Sequence, residues 1–460
     1  MIWICAALAL EPVEDAPFEL HTATLDNGLE VLLQPRPDAT SVFAMVVVRG
    51  GGRYENATTS GASHLLEHML FTKTERWDEK EIRDAVEGRG GSYNGYTYAE
   101  SVRYHAWLGA EELPVAVDWL DQVVFRSQLE EAQLHKEREV VFEERGGRDG
   151  WWMKQLADAG IGASVRRAAS RAYWPETALA MDHIGEDASL DGMSLGDVEG
   201  FYVRHYRPDN AAVVLVGRFE VDEALARVEE AFAHVQKPVL PAPVLDEAPI
   251  AQELPREQTI WRPTVGDQVE LSITVPTVGT THPDHTTVEL AGRYLGDLLF
   301  ERLRTDRGLV YSAKAWNDEW SDAGFLRVET ELDHIKVDEA LGLMHAAMDE
   351  MAAGEIEPER LQRVRAQTKG QSERSLEEGR VRANRIAHWW LSPAAARELR
   401  PEVLWSASIE EITRVAAAWT RDRRTTWVKR SPLTITQAWS LSLGMIALGL
   451  GGFLVLRRRR

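Results

Sequence analysis

Cysteine is almost absent from this chain of 460 residues: the single one is Cys5, inside an apolar N-terminus. No internal disulfide can form, and the body of the chain can hold neither a thiolate nucleophile nor a cysteine-based zinc site, so a metal would have to be bound by histidine and carboxylate. Positive charge is also scarce. Lys plus Arg total 52 against 73 Asp plus Glu, a formal charge of −21, and a surface of that sign repels phosphate backbones, which argues against nucleic acid as a partner. Compositional bias is missing too. With 44% apolar and 27% charged residues, the chain is neither collagen-like nor disordered throughout, and its length leaves room for roughly two to four domains.

The two ends differ from the body. Residues 1–10, MIWICAALAL, are continuously apolar and contain Ala7-Leu8-Ala9, a small-x-small pattern that a signal peptidase could cut, although no basic region leads into it. Ala438 to Leu456 carries no charge and is followed by Arg457, Arg458, Arg459 and Arg460. That stretch is long enough to predict a transmembrane helix, and the basic tail 457–460 would stay cytoplasmic, leaving the globular body outside the membrane on a single-pass anchor.

Between the ends, strand and helix patterns alternate irregularly, which predicts the α+β class. Apolar runs at Leu29–Leu33 and Val42–Val48, the first preceded by the Asp26-Asn27-Gly28 turn, read as strands, as do Ser92–Tyr98, Val102–Leu108 and Ala211–Val216. Helical periodicity marks Ser60–Phe71, Glu79–Val86, Glu111–Phe125 and Glu130–Glu144. Prolines 238, 241, 243, 249 and 255 place a linker at 235–257, between a first domain over 18–234 and a second over 258–430. The second starts again with a strand, Val269–Val275, then a helix from His285 to Arg304, strands at Leu309–Ala315 and Phe325–Leu332, and helices at Val337–Ala352 and Pro358–Gly379. The two halves are built alike, as one duplication of about 200 residues would leave them.

The chemistry-bearing pattern is His64-Leu65-Leu66-Glu67-His68. On a helix, His64 and His68 lie four apart on one face and can hold one metal ion together, while Glu67 stands close enough to reach a water bound to that metal. A third ligand is available further on. In QLEEAQLHKEREVVFEER, Glu137 and Glu144 lie two turns apart on one face; one could complete a His-His-Glu zinc site and the other orient a ligand histidine, but spacing alone does not choose among Glu137, Glu139, Glu143 and Glu144.

From Phe18 to Trp427 the chain resembles the inverted-motif zinc metallopeptidases of the pitrilysin and insulinase group, and within it the bacterial members similar to mitochondrial processing peptidase. The matching segments are GASHLLEHMLF, GGSYNGYTYAE (Gly90–Glu100), KEREVVFEE (Lys136–Glu144), FYVRHYRPDNAAVVLVG (Phe201–Gly217) and LRTDRGLVY (Leu303–Tyr311). The resemblance implies two related α/β-sandwich domains of the processing-peptidase type and a zinc-dependent endopeptidase with one Zn²⁺ per chain. It makes His64, His68 and Glu144 the metal ligands, Glu67 the catalytic base and acid, and Glu137 the carboxylate that orients a ligand from behind. It further implies that Asn94 fixes the substrate backbone and that Arg304 and Tyr311 hold the substrate carbonyl. Larger relatives use four such domains, so two chains, either copies or one copy with a related chain, would close around a peptide substrate. Two departures bear on pocket shape: Phe71-Thr72-Lys73-Thr74 replaces the usual small residues after the helix, and Gly95 stands where alanine is common. Trp151 and Trp152 read as groove lining or as packing, and His105, His135, His183 and His205 are given no role.

Overall fold

The computed structural model describes residues 10–13, 18–145, 161–237, 239, 241–392 and 405–441. The expected signal segment, apart from Leu10, and Trp151 and Trp152 lie outside them.

Two sheets organise the chain. The first is built from β1 (Glu11–Pro12), β2 (His21–Thr24), β3 (Glu30–Pro35), β4 (Ser41–Arg49), β5 (Ser92–Thr97), β6 (Ser101–Gly109) and β7 (Ala211–Gly217), in the order β1-β2-β3-β7-β4-β6-β5. The second contains β8 (Glu257–Trp261), β9 (Gln268–Thr277), β10 (Val310–Glu319), β11 (Gly324–Asp333) and β12 (Thr425–Arg430), in the order β10-β11-β9-β12-β8. Read from the β5 and β10 edges the two orders coincide, down to a parallel pair at the same place, β3 with β7 and β8 with β12. The topology is therefore a repeated one.

The helices of the first half are α1 (Ala62–Leu70), α2 (Glu79–Glu87), α3 (Leu113–Phe125), α4 (Glu131–Glu144), α5 (Val165–Tyr173), α6 (Asp187–Gly192), α7 (Leu195–His205) and α8 (Val221–Phe232). Those of the second are α9 (His285–Leu299), α10 (Val337–Ala352), α11 (Pro358–Ser375), α12 (Gly379–Leu391) and α13 (Ile409–Ala417). The helix expected over Pro358–Gly379 is interrupted at Leu376–Glu378, and the chain restarts as α12 at Gly379.

Strand β4 is apolar at nearly every position because both of its faces are covered. Val42, Ala44, Val46 and Val48 face the core beneath α1, α3 and α7, whereas Phe43, Met45 and Val47 face Ala383, Ile386, Ala387 and Trp390 of α12. That cover comes from the other half of the chain. Arg49 locks it by stacking 3.6 Å above the Trp390 ring and donating to the Trp390 carbonyl at 3.0 Å. The exchange is mutual: Val165, Ala169 and Tyr173 of α5 cover Ile260, Phe325 and Trp427 of the second sheet. At roughly 1.5–3 kcal/mol for each large apolar side chain removed from water, each exchanged helix stabilises the half it covers as well as its own.

Between the halves, Arg53 is the central tie. Its guanidinium donates to Glu100 Oε1 and Asp322 Oδ1, both at 2.5 Å, and to the Asp246 carbonyl at 3.0 Å, so the β5–β6 turn, the proline-bearing stretch and the β10–β11 turn meet on one buried cation. Ser321 adds its backbone N–H and hydroxyl to Glu100.

The expected C-terminal transmembrane helix is corrected here. Among the described residues no helix is long and apolar enough to cross a membrane. Of the expected span only 438–441 is described; it is helical and continues from 435–437, with Trp439 and Leu441 exposed, and residues 442–460 lie outside the description. The single-pass membrane location and the membrane partner inferred from that helix are withdrawn with it.

Candidate metal centre

Helix α1 starts where only glycine fits. Gly61 has φ 91°, and a Cβ there would stand 2.6 Å from the Cα of Gly185, so the two glycines let the helix start touch the 182–190 segment. The first-turn N–H groups are met by a buried carboxylate: Glu55 accepts from the Gly61 N–H at 2.7 Å and from the Ser63 N–H at 2.8 Å, with the Ser63 hydroxyl at 2.5 Å. Leu65, Leu66, Met69 and Leu70 are fully buried on the core side, which fixes the rotation of the helix and turns His64 and His68 toward α4.

There the three expected ligands converge. One ligand atom each from His64, His68 and Glu144 lie within 4.8 Å of one another. Glu144 Oε2 is 3.6 Å from His64 Nε2 and 3.5 Å from His68 Nε2. Ligand atoms at zinc bond length around a tetrahedral ion stand about 3.3 Å apart, close to the two distances from Glu144, so the donor set suits zinc. Burial, helped by His68 and His183, brings the His64 imidazole down to about 4, leaving it neutral at pH 7 as a metal ligand must be. Its Nδ1 is buried without a hydrogen-bond partner.

His68 behaves differently. Burial pulls its pKa down, but the carboxylates of Glu137, Glu144 and Glu67 outweigh that and raise it. Glu137 Oε2 lies 3.4 Å from His68 Nδ1, on the side away from Glu144, and Lys136 Nζ holds Glu137 at 3.3 Å while bonding Glu79 at 2.7 Å. Burial would raise the Glu137 carboxyl, yet His68 and Lys136 keep it below its usual range. Glu139 and Glu143 do not line the cavity.

Glu67 faces the edge strand. The Thr97 hydroxyl donates to its Oε2 at 2.7 Å, and a Cβ on Gly95 would come within 2.6 Å of its Oε1, so the glycine leaves the carboxyl room to lie against β5. Burial raises its pKa, against the pull of Thr97 and His68. All of these groups open into one cavity of about 480 Å³, which Asn94, Tyr96 and His183 also line. Asn94 is exposed, and its Oδ1 accepts from the Gly95 N–H at 3.0 Å.

Arg304 and Tyr311 are brought together, with the Arg304 guanidinium 5.6 Å from the Tyr311 ring centroid, but not at this cavity. Tyr311 stands 84% exposed on β10, the edge of the second sheet. Thr97, His183 and Glu55 escape sequence reasoning. Thr97 is signalled only by its place two residues after Gly95, and the other two by nothing local. His105 stacks between Phe43 and Tyr96, and His205 against Phe201, as packing groups.

A profile of Insulinase (Peptidase family M16) matches residues 30–166, and one of the Peptidase M16 inactive domain matches 192–368. An uncharacterized zinc protease of Mycobacterium tuberculosis is 30% identical over 311 residues, 66% of this chain and 68% of that protein. A Bacillus subtilis zinc protease is 26% identical over 311 residues, 66% and 72% of the two chains. A protease of Helicobacter pylori of solved structure superposes with a TM-score of 0.77 at 19% identity, over 89% of this chain and 99% of that one. With both halves matched by family profiles and two thirds of a zinc protease aligned at this identity, the chain belongs to the insulinase family, peptidase family M16.

Proposed function

We propose that the protein is a zinc-dependent endopeptidase that hydrolyses peptide bonds in extended or unfolded segments, with one metal per chain held by His64, His68 and Glu144. The observation that carries this reading is the convergence of those three ligand atoms beside the carboxyl of Glu67. Zinc, when bound, is a Lewis acid that makes water nucleophilic near neutral pH and polarises the scissile carbonyl.

The remaining work falls to side chains. Glu67 takes a proton from the attacking water and returns it to the leaving amine, a two-way transfer that its raised pKa suits and that the Thr97 hydrogen bond aims. Glu137 holds the His68 ring through Nδ1, which keeps Nε2 for the metal. Among the described residues strand β5 is the outer edge of its sheet, to which an extended peptide can add as a further strand, with Asn94 available to its backbone. Arg304 and Tyr311, exposed away from the cavity, act on the site of a second chain, a copy or a relative, and bind the carbonyl oxygen as charge develops on it.

The test is cleavage of a peptide mixture by the purified chain, with and without chelator, followed by mass spectrometry. Chelator-sensitive cuts inside peptides support the reading; no cleavage by the zinc-loaded protein in any pairing with a related chain ends it.

A further inference from the structure

A second cavity of about 370 Å³ adjoins the candidate site and shares Thr97 and His183 with it. It begins where β5 ends. Ala99 forms one wall, Ala163 at the start of α5 another, and Ala178, Leu179 and Met181 a third, while Trp320 from the β10–β11 turn reaches in from the second half. Trp320 is thus the second half's contribution to a cavity otherwise lined by the first, and the Arg53 tie between Glu100 and Asp322 joins the halves at its rim.

Its charges are already matched. Arg53 is engaged by Glu100 and Asp322, Arg167 by Asp182 at 2.7 Å and Glu186 at 2.8 Å, and Arg166 stands 3.5 Å from Asp318. An entering carboxylate would compete with internal acids for each of the three guanidiniums, with only Arg167 Nε buried without a partner, and an entering cation would meet three arginines against the one lining acid, Asp182. An uncharged ring meets neither difficulty. It gains an apolar wall of alanine, leucine, methionine and tryptophan, and guanidinium faces stack favourably on aromatic rings, as Arg166 already does 5.7 Å from Trp320.

We propose that this cavity is a specificity pocket for an aromatic or large aliphatic side chain of the substrate. The proposal rests on the peptidase reading, because continuity with that site is what supplies the occupant. Thr97 touches Glu67 and Ala99 lies two residues on, so at about 3.3 Å per residue the selected side chain sits about two to three residues from the bond that is cut.

The experiment uses the full chain carrying Glu67→Gln, loaded with zinc, and labelled peptides that differ at one position at a time among Phe, Leu, Ala, Asp and Lys, with binding read by fluorescence anisotropy. At one position Phe and Leu should bind about tenfold tighter than Ala, and Asp and Lys should not. Adding Ala178→Trp, or separately Ala163→Phe, should fill the cavity and erase that preference while peptides with Ala at the position bind as before. Two filling variants guard against one that fails to fold. The proposal is overturned if no position prefers Phe or Leu, if Asp or Lys is preferred, or if the preference survives in a filling variant that keeps its melting temperature. The same peptides given to the chain with Glu67 intact keep the two readings apart: a Phe preference without cleavage removes the peptidase and leaves the pocket, and cleavage without the preference does the reverse.

Discussion

In the first half the helix after the long central strand, α1, and its neighbour α4 present His64, His68 and Glu144 to one another; in the second half the corresponding pair, α9 and α11, presents opposite charges instead. Arg293 bonds Glu289 at 2.8 Å, Arg360 bonds Asp297 at 2.8 Å and Glu301 at 2.9 Å, and Arg363 adds a second donor to Asp297 at 2.8 Å. Five strands and their order are shared, yet one helix pair matches its own charges and the other brings two imidazoles and a carboxylate within 4.8 Å of one another. Chemistry in this duplicated fold therefore lives in a handful of side chains and not in the architecture, consistent with the inactive-domain profile over 192–368.

The largest effect should come from the proton carrier. Glu67→Gln should lower kcat/KM for peptide cleavage by about 10²–10⁴ with zinc content unchanged, because the amide keeps the shape and loses the base. Glu289→Gln, the same change made on α9, should leave cleavage within about twofold. Normal cleavage by the Glu67 variant would erase the distinction between the halves. Next in size is the metal: Glu144→Gln should lose most of its zinc on gel filtration, since a neutral amide is a poorer ligand, and Glu137→Gln should cost about 10–100-fold in affinity, both read by metal analysis.

A third test asks whether the second half contributes across chains. Neither Glu67→Gln nor Arg304→Ala chains should cleave alone, but an equal mixture should recover about a quarter of the activity, because half of randomly formed pairs carry one intact composite site out of two. Mixed pairs that form and stay inactive would confine Arg304 to its own chain or to no role.

Sequence patterns carried much of this. The central strands, the His-Leu-Leu-Glu-His helix and the acidic helix after it follow from apolar periodicity, and β4 lies where its apolar run predicts. What periodicity cannot say is which surface an apolar face covers. Helices α5 and α12 pack on the opposite half's sheet, and no local signal distinguishes Ile386 against Phe43 from Ile386 against a neighbour in its own half. The choice among Glu137, Glu139, Glu143 and Glu144 was equally closed to spacing. Folding separates them by setting one against Nε2 of both histidines and another against Nδ1 of His68. Near the C-terminus composition alone misleads: the charge-free stretch predicts a membrane helix, yet no helix among the described residues is long and apolar enough to cross a membrane.

The ion pairs of the second half should act on stability without touching the metal. The Arg360 side chain is buried, and removing it leaves Asp297 and Glu301 without their shared donor, although both acids are partly exposed and regain water. Arg360→Ala should therefore cost about 2 kcal/mol in urea unfolding and leave zinc content and Glu67-dependent cleavage intact. A variant that loses zinc would show the halves to be coupled more tightly than their separate charge networks suggest.

The finest difference lies at the helix starts. Asp284 begins α9 without a side-chain cap and faces Arg414 instead, whereas α1 is capped from inside by Glu55. Burial pushes the Glu55 carboxyl from its usual 4.5 up to about 7, against the three donors that oppose the shift. The folded state thus binds a proton that the unfolded chain releases between those values. The contribution of Glu55 to stability is full below 4.5 and is lost as pH rises through about 7. Glu55→Ala leaves the Gly61 and Ser63 N–H groups without their acceptor and should cost about 1–3 kcal/mol, with the larger deficit near pH 5 and the smaller near pH 8. Urea unfolding of both chains at the two pH values measures it; equal deficits would mean that the carboxyl is ionised in the fold throughout, and that helix-start donors hold its charge more strongly than burial opposes it.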